Sequence, residues 1–139
     1  MSMTRTLTRL PGMMVAASAF VLLSATLPAR ADEDVGKEVT TAATHAGLAS
    51  AAKDMAGVQM HLHHTVNCLV GPKGDGFDTG VANPCKDQGN GAIPDTKDAA
   101  KLAMLRQGLA KVNAGLKETD MAAAQKDATA AQDMIKMGM

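Results

Sequence analysis

Hydrophobic positions recur along the C-terminal third of this chain with the period of an amphipathic helix. Leu102, Leu105, Leu109, Val112 and Leu116 alternate steps of three and four, the one-stripe spacing of a helix packed against another. Asp95 or Thr96 stands where a short side-chain oxygen can accept from the free amides of the first turn. Gly115 and the polar Lys117-Glu118 suit a tight turn between antiparallel helices. A second stripe then starts at Thr119-Asp120 and runs through Met121, Ala124, Ala128, Ala131 and Ile135.

Residues 34 to 69 also read as helical, with Asp54 as a cap that predicts a new start in their middle. The two regions echo one another. Gly47-Leu48 is followed by Asp54-Met55-Ala56-x-x-Gln59, and Gly115-Leu116 by Asp120-Met121-Ala122-x-x-Gln125. Internal duplication would produce this echo, and so would two alanine-rich helices of similar composition. Between the regions, residues 70 to 95 hold six glycines and three prolines. The expected fold is all-α: a small four-helix bundle of two helical hairpins, roughly 34–52 with 54–69 and 96–116 with 119–137, joined by a long Gly/Pro-rich loop. A competing reading fuses 34–69 into one long helix and gives three.

The N-terminus carries a different pattern. Arg5 and Arg9 precede an uncharged apolar stretch over residues 13–27, and Ala29-Arg30-Ala31 supplies the small-x-small pattern of a signal-peptidase site. That stretch is shorter than the roughly 20 residues a spanning helix needs. Residues 1–31 are therefore expected to be a signal peptide, cut after Ala31, and residues 32–139 a single helical-bundle domain that is periplasmic or secreted and free of the membrane. Without the leader, eleven basic and fourteen acidic residues leave a net charge of −3. No Trp, no Tyr and only Phe77 among the phenylalanines remain, against abundant Ala, Leu, Val and Met, which favours helices over sheet. With no basic patch and no aromatic platforms, nucleic-acid binding lacks support.

Cys68 and Cys85, 17 positions apart in an exported chain, predict a disulfide that closes the loop against the end of a helix. The loop segment Gly71-Pro72-Lys73-Gly74-Asp75-Gly76-Phe77-Asp78-Thr79-Gly80 lacks the alternating acids and closing Glu of a calcium-binding EF-hand. Nor does it have the Gly-Lys-Ser/Thr of a phosphate loop. Phe77 is a candidate hydrophobic plug against the bundle, and a loop this long is a candidate surface for a protein partner.

Three of the four histidines fall in Met60-His61-Leu62-His63-His64. At about 100° per residue, His64 lies at about 300° and Cys68 at about 340° from His61, so the three share one flank, while His63 at about 200° points elsewhere. Leu62, Val66 and Leu69 occupy the core side. If the chain turns near Lys53, His45 stands eight residues before the turn and His61 eight after, and His45, His61 and His64 converge. Imidazoles one turn apart, completed from a neighbouring helix, suit a transition-metal ion. Met60 adds a thioether suited to copper. The bland reading is a polar, solvated flank.

An exported helical bundle with His45 and the His61-x-His63-His64 cluster resembles the periplasmic small metal-binding proteins, whose helices carry histidines at repeated spacings. The resemblance implies binding of copper, nickel or zinc for scavenging or delivery. With only four histidines, the chain supports a single site. Two alternatives stand beside it. One is a haem-binding bundle with His61 or His64 as an axial ligand, lacking a CxxCH for covalent attachment. The other is a ligand-free interaction protein whose 70–95 loop contacts a partner. No serine, thiol or carboxylate is placed by a recognisable motif beside a histidine, so an enzyme is not expected. N-terminal sequencing of the exported protein should begin at Asp32; a start at Met1 would refute cleavage.

Overall fold

The computed structural model describes residues 34–139, so the leader assigned to residues 1–31 lies outside the described residues. Among them the chain is all-helical, with five helices: α1 (Val35–Ala51), α2 (Met55–Val70), α3 (Ala92–Asp95), α4 (Ala99–Gly115) and α5 (Met121–Met137). None of these is long and apolar enough to cross a membrane.

Each long helix begins on an aspartate whose carboxylate satisfies an amide that the helix itself leaves open. Asp34 accepts from the Lys37 N–H at 2.9 Å, Asp54 from Gly57 at 2.7 Å, Asp98 from Lys101 at 2.9 Å and Asp120 from Ala123 at 2.8 Å. Asp54 settles the competing three-helix reading. Ala52 leaves helical geometry (φ −64°, ψ 149°), and Asp54 (φ −145°, ψ 162°) restarts the chain as α2, so residues 34–69 are two helices.

The expected cap of α4 is corrected. Asp98 takes that role because the preceding residues are already committed: residues 92–95 form the single turn α3, inside the span read as loop. Thr96 closes that turn, its backbone N–H and its hydroxyl both donating to the Ala92 carbonyl (3.1 and 2.6 Å). The Asp95 carboxylate accepts from the Asn90 backbone N–H at 2.7 Å and from its side-chain amide at 3.2 Å.

The core is built from small faces. α1 packs on both α2 and α5, and α4 packs on α5. α1 buries Ala42, Ala43, Ala46 and Ala49, and α5 buries Ala124, Ala128 and Ala131. Such side chains let helix axes approach closely, and two glutamines of α5 use that proximity. The side-chain amide of Gln125 donates to the Ala52 carbonyl at 2.8 Å, and that of Gln132 to the Ala43 carbonyl at 3.2 Å. Bulk comes from Leu62 and Leu69 of α2, Leu105 of α4 and Ile135 of α5, all fully buried. The stripe read on α4 divides: Leu105 and Val112 are fully buried, whereas Leu109 and Leu116 are partly buried against the core.

The segment between α2 and α3 is tied at several points. Its ends meet where Gly71 (φ 69°) leaves α2 and Gly91 (φ 118°) precedes α3. A Cβ on Gly71 would collide with the Asn90 carbonyl, so this contact requires glycine. The Gly91 N–H donates to the buried Glu38 carboxylate of α1 at 2.8 Å. The Asn67 amide donates to the Asp78 carbonyl (2.9 Å), and its oxygen accepts from the Asp78 N–H (2.8 Å). Phe77 packs against the core, and Cys68 of α2 is bridged to Cys85, both buried. Replacing both cysteines with alanine should lower unfolding free energy by about 3 kcal/mol on the chain-entropy account. Chemical denaturation followed by circular dichroism measures this; an unchanged midpoint would show that the non-covalent ties alone hold the segment.

Candidate metal site

The break at residues 52–54 sets the register of the α1–α2 hairpin, and register decides which histidines meet. His45 of α1 comes level with His61 of α2, and His64 follows His61 by one helical turn. The three rings form a triangle, with centroids 5.4 Å apart for His45–His61, 5.0 Å for His45–His64 and 5.7 Å for His61–His64. One nitrogen from each lies within 4.8 Å of the others, so the group could hold a metal ion.

The surroundings of His45 and His64 favour neutral rings. Burial against the hairpin lowers the His45 pKa from 6.5 to about 4, and the nearby His64 and His61 add to the effect. His64 is also lowered, first by burial and then by His61 and His63. A neutral imidazole keeps a lone pair, which a metal requires.

Two atomic details fit an ion. His45 Nδ1 and His61 Nδ1 are 3.2 Å apart. Two nitrogens held tetrahedrally by zinc at 2.0–2.1 Å stand roughly 3.3 Å apart, a spacing that the hydrogen bond between these two imidazoles also gives. His64 Nδ1 is buried and has no hydrogen-bond partner. Buried ring nitrogens are ordinarily satisfied, and an unpartnered one is open to a water or to an ion.

The remaining candidates sit elsewhere. His63 projects from another side of α2, as its helical angle predicts, and its Nδ1 meets the Asp78 carboxylate at 3.2 Å. Met60, one turn before His64, is 45% exposed and beside solvent. Cys68 shares the flank of His61 and His64 but is consumed by its bridge to Cys85. Sequence reading missed two polar residues of the framework, Glu38 and Asn67. Glu38 stood in plain sight: it is four residues before Ala42 and eight before Ala46, on the stripe that α1 buries.

No family model, no curated protein and no solved structure matches this chain.

The lowered His45 pKa has a consequence for the metal-free protein. Because the folded pKa (about 4) lies below the unfolded value (6.5), the unfolded chain takes up the proton first as pH falls. The stability tied to a neutral His45 is whole above pH 6.5 and is lost between about 6.5 and 4. Denaturation midpoints of parent and His45→Gln measured across that window should converge at the acid end relative to their separation at neutral pH. A constant difference would mean that His45 titrates normally.

Proposed function

We propose that this is an exported, periplasmic small metal-binding protein, a four-helix bundle by its long helices, that binds one transition-metal ion rather than catalysing a reaction. His45, His61 and His64 are its ligands. The observation that carries the reading is the convergence of one nitrogen from each of His45, His61 and His64 within 4.8 Å, with the buried His64 Nδ1 unpartnered. Imidazole sets suit zinc, copper and nickel, and three protein ligands leave a position for water or for a ligand from a partner that receives the ion. Scavenging or delivery of copper, nickel or zinc fits such an open, half-buried site. The 3.2 Å separation of His45 and His61 leaves no room for a macrocycle between them, which favours a bare ion over haem ligated by that pair.

Calorimetric titration of Cu(II), Zn(II) and Ni(II) tests the reading. The parent should bind one ion, and affinity should fall as acid protonates the imidazoles, with His45 holding out to about pH 4 because burial and its neighbours lower its pKa. His61→Ala combined with His64→Ala should abolish binding with helical content retained, and His45→Ala should weaken it by about tenfold or more. His63→Ala should change it little. A double variant that binds as tightly as the parent would reduce the cluster to a polar flank.

A further inference from the structure

A second concave site lies away from the histidines. A cavity of about 750 Å³ opens between α4, α3 and the first residues after α2, a volume typical of small-molecule sites. Its apolar lining comes from Val70 of α2, Ile93 and Pro94 of α3, and Leu102 and Leu109 of α4. Two cations, Lys73 and Arg106, share the lining.

Arg106 is the informative residue. It stands four after Leu102 and three before Leu109, so the three occupy one face of α4, and all three line the cavity. A charge there does nothing for packing. Neither Arg106 nor Lys73 forms an ion pair with a described residue; the ion pairs are His63–Asp78 and Lys111–Asp127. Both side chains are exposed. Two acids also line the cavity. Asp95 is buried and turned to Asn90, which donates to both of its oxygens, and Asp75 is exposed on the loop. The lining thus carries two cations and two acids; but the Asp95 oxygens already accept from Asn90, whereas Arg106 and Lys73 have no ion-pair partner among the described residues.

The wall facing Arg106 is fixed. Gly71 and the Asn90 carbonyl are in contact, the Asp95 carboxylate grips Asn90, and the Thr96 hydroxyl closes the α3 turn on Ala92. A concavity with a fixed apolar wall and unpaired cations suits a ligand with the complementary division: an apolar body and one anionic head.

We propose that this cavity binds a small organic acid, an aliphatic or aryl monocarboxylate. Its carboxylate lies on the Arg106 guanidinium, with Lys73 as a second cation. Its apolar body lies along Val70, Ile93, Leu102 and Leu109. The planar guanidinium matches a carboxylate with two parallel hydrogen bonds, which a lysine cannot do.

Octanoate, octan-1-ol and octylammonium separate head from body. Binding is followed by displacement of the anionic apolar dye anilinonaphthalene sulfonate, against which a chain with no Trp and no Tyr contributes no competing signal. Methyl NMR locates the site. Octanoate should displace the dye and shift the methyls of Val70, Ile93, Leu102 and Leu109, and octylammonium should bind at least about tenfold more weakly. Arg106→Gln should weaken octanoate by about tenfold and leave octan-1-ol unchanged, Arg106→Lys should recover part of the loss, and Lys73→Gln should have a smaller effect. Because Arg106 and Lys73 are exposed, these variants should fold as the parent does. His61→Ala with His64→Ala should leave octanoate binding intact, which keeps this site separate from the metal reading. Equal binding of octanoate and octylammonium, no binding of octanoate, indifference to Arg106→Gln, or methyl shifts elsewhere would each overturn the proposal. So would a self-associating protein whose dimer contact, and not octanoate, protects those same methyls.

Discussion

The tight turn at residues 52–54 is the constraint on which the candidate metal site depends. It converts what reads as one long apolar run into a hairpin, and the number of residues it spends fixes which side chains of α1 face which of α2. One residue more or fewer would rotate the following helix by about 100° and carry His61 and His64 off the flank that His45 faces. Two interactions hold the turn. The Asp54 carboxylate caps α2 from within, and the Gln125 side chain of α5 holds the Ala52 carbonyl from outside. The second hairpin thus grips the first at the point that sets its register.

The parts of this arrangement legible in the sequence were those governed by local period and short-range chemistry. The break at Asp54, the cap at Asp120 and the shared flank of His61, His64 and Cys68 follow from helical geometry and from the preference of aspartate for helix starts. His45 was legible because a hairpin of known turn position is a symmetric object. What local reasoning could not see were choices made by distant partners. Asp95 is a plausible cap by spacing, but its carboxylate is taken by Asn90, and Asp98 caps α4 instead. The one-turn helix α3 hides behind Pro94 and two flanking glycines, a composition that reads as loop. The pairing of His63 with Asp78 spans 15 positions of a segment whose path no periodicity describes.

That segment does more than connect the hairpins. It fastens to α2 through Asn67, Cys68 and His63, the residues immediately around and after His64. It fastens to α1 through Glu38, two turns before His45. Helix ends fray because their last carbonyls lack intrahelical partners. Here the C-terminal half of α2 is held by a covalent bridge and a two-point amide contact, so His64 sits in a braced stretch rather than near a free end. Bracing of this kind would hold the three imidazoles in place before an ion arrived, so that less of the binding energy would be spent on ordering them.

The depth of the cluster completes the argument. A fully exposed set of imidazoles would sit near pKa 6.5, and mild acid would protonate it and release its ion. A fully buried set would have no path for an ion to enter or leave. The three rings here are each only partly buried. Burial is enough to pull the His45 pKa down to about 4 and to lower that of His64, while all three rings keep part of their surface exposed. Mutual proximity works in the same direction, since protonating one ring makes protonating its neighbours harder. Half-burial on a braced hairpin flank therefore keeps the His45 and His64 lone pairs available further into acid while the rings stay partly exposed. Such a balance would suit reversible binding of an ion better than a surface histidine patch or a core site would.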